Sequence, residues 1–326
     1  MRQPFISVVI PTFNRYKELK VTLEKLTFQT VSPENFEVLV IDDGSVDGTR
    51  EMVESMVPLV PYRLSYSHHN NRGPGFTQNR GIREANSNLV LLIADDIWAT
   101  PELLAQHLET HTVYPEENVA VLGKVLQSPD LPPSLIHKYW EPFRVDYEKV
   151  EFTSEISCLC FFACNISVKK DFLMKNGLFR ERKGAAMEDI ELGYRLGQKG
   201  LRIIYNKRAL VYHHHPTTLT DACLRAYEQG HNFDMLIDNI PKSVLIRFYG
   251  ILSAKAGFKE FIKMLPRAFG RKLIFNKWTV NYFWLPILKS AEVNSIAAHF
   301  ASRFAYEQVI GYHVSKGNKD IRKHEA

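Results

Sequence analysis

Short apolar runs rich in β-branched residues alternate with helical patterns through the first half of the chain. Residues 5–10, 36–41 and 89–94 have the length and composition of buried strands. Between the first two runs, leucines recur at helical spacing, as at Leu19 and Leu23. This βαβαβ order predicts an α/β fold in which helices cover both faces of a mostly parallel central sheet.

Weaker signals extend this pattern along the chain. They predict a strand over 62–66, a helix over 78–85, a helix that begins at Pro101, a strand over 119–125, a helix from Glu188 to Gly200, and short strands that end in His213, His214 and His215. The Pro- and aromatic-rich segment 129–157 is typical of a long loop or lid. We therefore predict an α/β domain over 1–240 and a basic, mainly helical C-terminal extension over 241–326.

The charge is divided unevenly between these two parts. From Lys242 onward the chain has 15 Lys and Arg against 5 Asp and Glu, so this part carries +10, whereas residues 1–241 carry −5 and the whole chain +5. An acidic body with a basic tail indicates an anionic partner surface. Nucleic acid is not the expected partner, because no recognisable nucleic-acid-binding module accompanies the charge.

The cysteines and the N-terminus bear on the compartment. Cys158, Cys160 and Cys164 lie in an apolar stretch with no histidine spacing beside them, which favours buried thiols in a reducing compartment over a zinc site or disulfides. The N-terminal segment lacks the pattern of a signal peptide, and no stretch approaches the ~18 apolar residues of a membrane span. We expect a cytoplasmic protein that, if the basic tail meets lipid, is peripheral at the inner face of the membrane.

Two acidic pairs follow predicted strands. Asp42 and Asp43 come directly after one run, and Asp95 and Asp96 follow another. Ligands of open α/β sheets bind beyond the carboxyl ends of the strands, and two carboxylates there can hold a divalent cation together with substrate phosphates. A lone acidic pair after a strand more often marks a solvated turn, so the pairs need support from elsewhere. The usual dinucleotide and P-loop fingerprints are missing.

Three further segments add groups of the required kind, and each also has a purely structural interpretation. Arg72 and Arg80 can face a diphosphate or be solvated surface residues. Asp189, in a helical first turn, can be a general base or a helix cap. The histidines 213–215 can complete a cation shell or form a surface cluster.

Together these motifs resemble a known family. "SVVIPTFNR", "VLVIDDGSVDGT", "NRGPGFTQNRGI", "LLIADDI", "GLFR" and "MEDIELGYRLGQKGLRIIYNKRALVYHHH" occur in this order over roughly residues 5 to 216. They resemble the family-two glycosyltransferases of the GT-A fold, a Rossmann-like fold for nucleotide-diphospho-sugar transferases. The resemblance implies a nucleotide-sugar donor, with UDP-sugars favoured, a divalent cation (Mg²⁺ or Mn²⁺), and inverting transfer to an acceptor hydroxyl. The domain over 1–240 would then be the catalytic domain.

The resemblance also implies roles for individual residues. Five of them match donor-binding positions: Pro11, Thr12 and Asp43 at the nucleotide base, Arg72 assisting there, and Asp95 at the ribose and diphosphate. Asp96 matches the metal ligand, and His213 a position that in some relatives reaches the metal or diphosphate. Asp189 matches the catalytic base, with Glu188 beside it in the Glu-Asp motif. Ala94 stands where many relatives carry a third acidic residue, which places the burden of metal binding on Asp96.

The basic extension leaves two interpretations open. Phe258, Phe261, Ile262 and Leu265 fit one helical face bordered by lysines, and that face either packs on the catalytic domain or lies in an anionic membrane interface. The second interpretation suits a lipid-linked saccharide acceptor in the assembly of surface polysaccharide or glycolipid. Two rival functions also remain at this point, a nucleotidyltransferase and a non-catalytic sugar-nucleotide-binding protein on the same fold.

Overall fold

The computed structural model describes residues 5–132, 134–136, 155–182, 187–232, 236, 239–241, 243–244, 277–291, 309, 312–313 and 316. The helical face predicted around Phe258 lies outside these residues, as does most of the predicted lid over 129–157. Contacts divide the chain into two compact units. The first comprises residues 1–131 and 143–215, and the second residues 132–142 and 216–326. The predicted domain limits, 1–240 and 241–326, stay a prediction.

The first unit is built from a mixed sheet and its covering helices. Its elements, in chain order, are β1 (Ile6–Thr12), α1 (Tyr16–Leu26), β2 (Phe36–Asp42), α2 (Thr49–Met56), β3 (Arg63–His68), α3 (Pro74–Glu84), β4 (Leu89–Ile93), β5 (Ile97–Ala99), α4 (Leu103–Val113), β6 (Val119–Gln127), β7 (Glu155–Ile156), β8 (Asn165–Lys169), α5 (Lys170–Asn176), α6 (Glu188–Gly197) and β9 (Arg202–His213).

Within the described residues the nine strands form one sheet in the order β3-β2-β1-β4-β8-β6-β9-β5, with β7 also paired to β9. Strands β1 to β4, β6 and β9 share one direction, whereas β5, β7 and β8 run the opposite way. The prediction of an α/β fold with a mostly parallel sheet is confirmed. Strands β5, β7 and β8 were not predicted, because two of them are only two or three residues long and β8 continues a run of apolar and small residues without alternation.

Helices cover both faces of this sheet, as the βαβαβ order predicts. Residues Ile6, Val8 and Ile10 of β1 share a buried core with the leucines of α1. Val9 points to the opposite face, where Gly81 of α3 packs directly against its side chain. A β-carbon at Gly81 would clash with Val9, so the glycine permits the close approach of helix and sheet.

Two predicted strand boundaries are wrong. The first strand was expected to end at Pro11, but Pro11 pairs with Ile41 and the ladder continues to Thr12. Strand β4 pairs with β1 only as far as Val9, so Pro11 lies where β1 has a partner on one side and its missing N–H is tolerated. The short strands expected before the histidines are one strand, β9, whose pairing with β6 shifts register at a bulge beside Gly123.

A buried polar network joins α4 to β8. His107 is fully buried, with Nδ1 2.8 Å from Ser167 Oγ and Nε2 3.0 Å from Asn165 Oδ1. His111 Nε2 lies 2.9 Å from the same hydroxyl, and Lys169 Nζ lies 2.7 Å from His111 Nδ1. Burial lowers the pKa of His107 to about 4, and burial together with Lys169 lowers the pKa of His111 to about 2.

Both imidazoles are therefore expected to stay neutral in the folded protein well below the range in which histidine ordinarily titrates. The unfolded chain takes up these protons near pH ~6.5, so their contribution to the free energy of unfolding is fully present above that pH and is lost as the pH falls towards the folded pKa values. Nitrogen-15 NMR of the two rings measures this, with the urea-unfolded protein as the control. A folded-state midpoint for either ring close to the unfolded value would contradict it.

The second unit has its own core. One of its helices, α7 (Leu219–His231), begins with a capping box: the Thr218 hydroxyl accepts the Asp221 N–H, and the Asp221 carboxylate accepts the Thr218 N–H. Buried residues of this helix pack with others of the same unit: Ile136, Leu219, Ala222, Cys223, Ala226, Val280, Leu288 and Val309. A further helical stretch covers Lys277–Thr279, Val280–Trp284 and Leu285–Ala291. Among the described residues, no helix combines the length and the apolar character needed to cross a membrane.

The four cysteines all lie in described parts of the chain. None forms a disulfide; Cys160, Cys164 and Cys223 are buried and Cys158 is partly buried. The preference for free, mostly buried thiols over disulfides is confirmed.

Candidate active site

The carboxyl ends of β1, β2 and β4 meet at one edge of the sheet. Thr12 is level with Asp42 in the β1–β2 ladder, and the Asp43 N–H donates to the Thr12 carbonyl (2.9 Å). The Thr12 hydroxyl donates to Asp95 Oδ2 (2.9 Å) from the other side. The structure therefore brings three of the residues predicted to bind a donor, Thr12, Asp43 and Asp95, into one place. Pro11 lies beside them in the ladder.

Asp43 is buried and held by the loop that follows β3. Its Oδ1 accepts the Arg72 N–H (2.7 Å) and its Oδ2 the Gly73 N–H (2.9 Å), while His69 Nε2 lies 3.1 Å from Oδ1. An ionised carboxylate has about four acceptor sites, so Asp43 keeps capacity for a donor group on a ligand. The neighbouring Asp42 is different.

Both oxygens of Asp42 are used within the protein. Oδ1 accepts the N–H groups of Gly44 and Ser45 (3.0 and 2.8 Å), and Oδ2 accepts the Tyr66 hydroxyl (2.6 Å). Asp42 is fully buried and stabilises the turn after β2. The sequence could not distinguish the two members of this pair, because both follow the same strand.

Arg72 contacts Asp43 through its backbone and not through its side chain. Its guanidinium lies over the Phe76 ring (3.8 Å to the ring centroid) and 3.7 Å from Glu181, and more than half of the side chain is exposed. It is the backbone N–H of Arg72 that binds Asp43. Arg80, the second arginine considered from the sequence, pairs with Glu84 on α3 (2.6 Å).

Asp96 is positioned by the pairing of β5 with the end of β9. Ile97 pairs with His213, and the His214 N–H donates to the Asp96 carbonyl (2.9 Å). The Asp96 carboxylate therefore faces two imidazoles, with His213 Nε2 at 3.2 Å and His215 Nδ1 at 3.0 Å from Oδ2. Side chains two apart share a face of extended chain, which explains why His213 and His215 stack while His214 instead stacks on Trp98 (3.9 Å between centroids).

This cluster has the composition of a divalent-cation site. One ligand atom from each of Asp96, His213 and His215 lies within 4.8 Å of the others. Asp96 Oδ1 is buried and has no hydrogen-bond partner among the residues that the structure describes. A carboxylate with two imidazoles is a donor set that first-row divalent cations accept, and the orphaned oxygen provides a further ligand atom. The residues present therefore fit a cation. The sequence prediction named His213 but not His215, although the alternation of strand side chains would have indicated it.

Arg15 is a charged member of the site that the sequence prediction missed. It lies in the loop between β1 and α1, with Nε 3.3 Å from Asp95 Oδ1 and Nη2 2.8 Å from Asp96 Oδ2. Burial raises the pKa of Asp95 to about 7 against the influence of Arg15. Burial acts in the same direction on Asp96, but His213, His215 and Arg15 outweigh it and hold its pKa well below the usual range.

Asp189 lies in the first turn of α6. Its Oδ2 accepts the Ala163 N–H (3.0 Å), whereas its Oδ1 is buried without a hydrogen-bond partner in the described part of the chain. Burial and the neighbouring charge of Glu188 raise its pKa to about 8, against the effect of the Ala163 N–H. Met187, which caps this helix, adopts a left-handed φ of 76°, a conformation that is uncommon for non-glycine residues.

The position of α6 depends on close packing behind Asp189. Gly193 contacts the Cys158 carbonyl and the Phe161 β-carbon so closely that a side chain would not fit. The same segment supplies Ala163 and the buried Cys164, whose thiol pKa is raised by burial and then by the charges of Asp189 and Asp96.

Comparison with known proteins identifies the family. The model of the family described as "Glycosyl transferase family 2" matches residues 7–175, about half of the chain. Validoxylamine A glucosyltransferase from Streptomyces hygroscopicus subsp. limoneus is 31% identical over 230 residues, which cover 63% of this chain and 51% of that protein. The chain thus spans about half the length of this relative and of a second validoxylamine A glucosyltransferase.

Solved structures show the same fold. The mannosyltransferase PcManGT from Pyrobaculum calidifontis, in complex with GDP-Man and Mn²⁺, has a TM-score of 0.59 at 18% identity, covering 98% of this chain and 88% of that chain. TarS 1–349 from S. aureus, in complex with UDP-GlcNAc, has a TM-score of 0.53 at 18% identity, with 98% and 92% covered. By its sequence match and its α/β GT-A fold, this chain belongs to glycosyltransferase family 2.

Proposed function

We propose that the chain transfers a sugar from a nucleoside-diphosphate donor, with UDP-sugars favoured, to an acceptor hydroxyl, in the presence of Mg²⁺ or Mn²⁺ and with inversion at the anomeric carbon. One observation carries the proposal. The Asp96–His213–His215 cluster, in which Asp96 is buried and both histidines are partly buried, fits a cation and adjoins Asp95, to which Arg15 also links Asp96. A second carboxylate, Asp189, has a buried Oδ1 with no partner among the described residues. Family membership supports it, as do two structural neighbours solved with a nucleotide sugar.

The donor's nucleoside is proposed to bind at Thr12 and Asp43. Asp43 is fixed by two backbone N–H groups and His69, and it retains acceptor capacity for a ring N–H of a nucleobase. Because these contacts are made before any ligand arrives, the carboxylate needs little reorganisation to bind. Pro11 lies beside this subsite. The Phe76 ring packs against the side chain of Arg72, which belongs to the loop that holds Asp43.

The diphosphate is proposed to lie over Asp95, Asp96 and the two histidines. Asp96, His213 and His215 would hold the divalent cation, and Asp95 would contact the ribose and diphosphate. When bound, the cation would neutralise part of the charge that develops on the departing nucleoside diphosphate. The Thr12 hydroxyl holds Asp95, and in the absence of ligands Arg15 contacts both carboxylates.

Asp189 is the proposed general base. Its Oδ1 is available for the proton of the acceptor hydroxyl, and the Ala163 N–H holds the other oxygen in place. A single displacement needs only this one base, with the hydroxyl attacking from the face opposite the leaving group, which is why we propose inversion. Glu188 is proposed to act by raising the pKa of Asp189 rather than by touching the substrate.

The acceptor is proposed to be a saccharide or a lipid-linked saccharide of surface polysaccharide or glycolipid assembly. The support is the charge of +10 from Lys242 onward, which would bring a cytoplasmic protein to an anionic membrane surface. Co-sedimentation with anionic vesicles at low and high salt tests this part. We expect binding at low salt that weakens at high salt, and no binding under either condition would remove the membrane surface from the proposal.

Turnover of a donor panel tests the main proposal. UDP- and GDP-sugars are incubated with a mixture of simple saccharide acceptors and Mn²⁺, Mg²⁺ or EDTA, nucleoside diphosphate release is measured, and the anomeric configuration of the product is determined by proton NMR. We expect release from at least one donor, dependent on the cation, and a product inverted at the anomeric carbon. Retention of configuration would contradict a single displacement, and cation-independent release would contradict the metal site.

The pH dependence of turnover follows from Asp189. A base must be deprotonated to act, and burial raises the pKa of Asp189 to about 8, so kcat/KM should rise with pH and level off above this value. Glu188→Gln removes the neighbouring charge that raises this pKa, so the midpoint of its profile should move to lower pH. A profile that is flat between about pH 6 and pH 9 in both proteins would contradict the assignment.

A further inference from the structure

The two residues that flank Arg15 in the chain, Asn14 and Tyr16, are both fixed by hydrogen bonds. The N–H of Asn14 donates to Ser45 Oγ (2.8 Å), and the Asn14 side-chain oxygen accepts the N–H of Val46 (2.8 Å). The N–H of Tyr16 donates to Asp47 (3.1 Å). The residues on either side of Arg15 are therefore tied to the turn between β2 and α2, which fixes the backbone from which its side chain extends.

The guanidinium of Arg15 connects the two carboxylates with the histidines. Beyond its contacts with Asp95 and Asp96, its Nη2 lies 3.3 Å from His215 Nδ1. Asp96 Oδ2 thus meets Arg15, His213 and His215 at once, and these are the groups that fit a cation. A guanidinium is charged at any pH at which proteins are folded, so Arg15 places a permanent positive charge at this point.

We propose that Arg15 is an internal counter-cation, which occupies the Asp95–Asp96 pair when no metal is present and transfers to the donor diphosphate when the metal binds. The inference rests on the proposed metal–diphosphate function of this site. A guanidinium and a divalent cation cannot both lie against Asp96 Oδ2 without repulsion. An incoming diphosphate relieves that repulsion, because it offers the arginine a bidentate anionic partner.

The consequence is that metal and nucleotide bind as a pair. Alone, Mn²⁺ has to displace Arg15 from Asp96 with no new partner for the guanidinium, so binding is weak. With a nucleoside diphosphate present, the displaced guanidinium is paired again, so the metal binds more tightly. By linkage, the nucleotide binds more tightly in the presence of the metal by the same factor.

Mn²⁺ binding measured by electron paramagnetic resonance, without nucleotide and with saturating UDP or GDP, tests this. Arg15→Gln should bind Mn²⁺ alone about tenfold more tightly than the wild type, since a nearby positive charge has been removed. The same variant should show a smaller gain in Mn²⁺ affinity on adding nucleotide. Arg15→Lys keeps the charge and should bind Mn²⁺ alone as weakly as the wild type.

A matched control is Arg202→Gln. Arg202 also bridges two carboxylates, Glu155 (3.0 Å) and Glu116 (3.6 Å), but at the other end of β9 from the histidines. The Arg202→Gln variant should bind Mn²⁺ as the wild type does. A purely structural role for Arg15 would lower metal affinity in Arg15→Gln, so unchanged or weaker Mn²⁺ binding in that variant overturns the inference.

The outcome for the wild type separates this inference from the proposed function. If the wild type does not bind Mn²⁺ either with or without a nucleotide, the proposed metal site is wrong, and so is the proposed role of Arg15. If the wild type binds Mn²⁺ together with a nucleotide while Arg15→Gln shows the same affinities, the metal site stands and only the role of Arg15 is overturned.

Discussion

Replacing Asp189 by asparagine should lower kcat by about 10²- to 10⁴-fold while leaving donor affinity close to that of the wild type. Asparagine has nearly the same shape and can still accept the Ala163 N–H, so the fold should be kept. It cannot take a proton from the acceptor hydroxyl at the position of Oδ1, which is buried without a partner in the described residues. The measurements are single-turnover kinetics for the chemical step and calorimetry for donor binding.

Asp171→Asn is the matched control for this variant. Asp171 is also an aspartate in the first turn of a helix, α5, but it is exposed. Its replacement should change neither kcat nor donor affinity, because only the small effect of the helix dipole is lost. Near-normal turnover in Asp189→Asn would remove Asp189 from the mechanism, and an equal fall in both variants would indicate a general loss of structure.

Replacing Asp96 by asparagine should abolish cation-dependent nucleotide binding and lower turnover by about 10³-fold or more. The reason is that a cation stabilises the charge on a leaving diphosphate by several kcal/mol, and this stabilisation would be lost. Asp96 is the carboxylate that meets both His213 and His215 and has an oxygen without a partner among the described residues. Mn²⁺ titrations with a nucleoside diphosphate present measure the loss, and thermal unfolding shows whether the variant folds.

The three successive histidines provide an internal control for this site. His213→Ala and His215→Ala should each weaken Mn²⁺ binding, because both rings face Asp96. His214→Ala should not, because that ring lies on the opposite side of the strand against Trp98. Equal effects at all three positions would indicate that the strand, rather than the metal shell, had been disturbed.

Much of this arrangement could be predicted from short-range patterns. Strands that are buried on both faces appear as continuous apolar runs, and parallel strands place their carboxyl ends at one edge. Acidic residues after β2 and β4 were therefore expected near one another, and Thr12 indeed contacts both Asp43, through a backbone hydrogen bond, and Asp95, through its hydroxyl. Asp189 was identified because it lies in the charged first turn of a predicted helix and matches the Glu-Asp motif of the family.

The rest depends on contacts between distant parts of the chain. His215 and Asp96 are 119 positions apart and meet only because β5 pairs with the end of β9. Strand β5 is only three residues long and has no sequence signal. Arg15 lies in a loop that the turn after β2 holds in place, and surface arginines in loops are common. The difference between Asp42 and Asp43 is decided by Tyr66 and the loop beyond β3.

The central claim is that this edge of the sheet binds a nucleoside diphosphate together with a divalent cation. Calorimetric titration of UDP and of GDP into the wild-type protein, with Mn²⁺ and then with EDTA, tests it most directly. We predict that at least one nucleotide binds in the presence of Mn²⁺ and that EDTA weakens its binding by a factor of about 5 to about 150, the usual range of coupling between two ligands. Equal affinity with Mn²⁺ and with EDTA, or no binding of either nucleotide under both conditions, would contradict the claim.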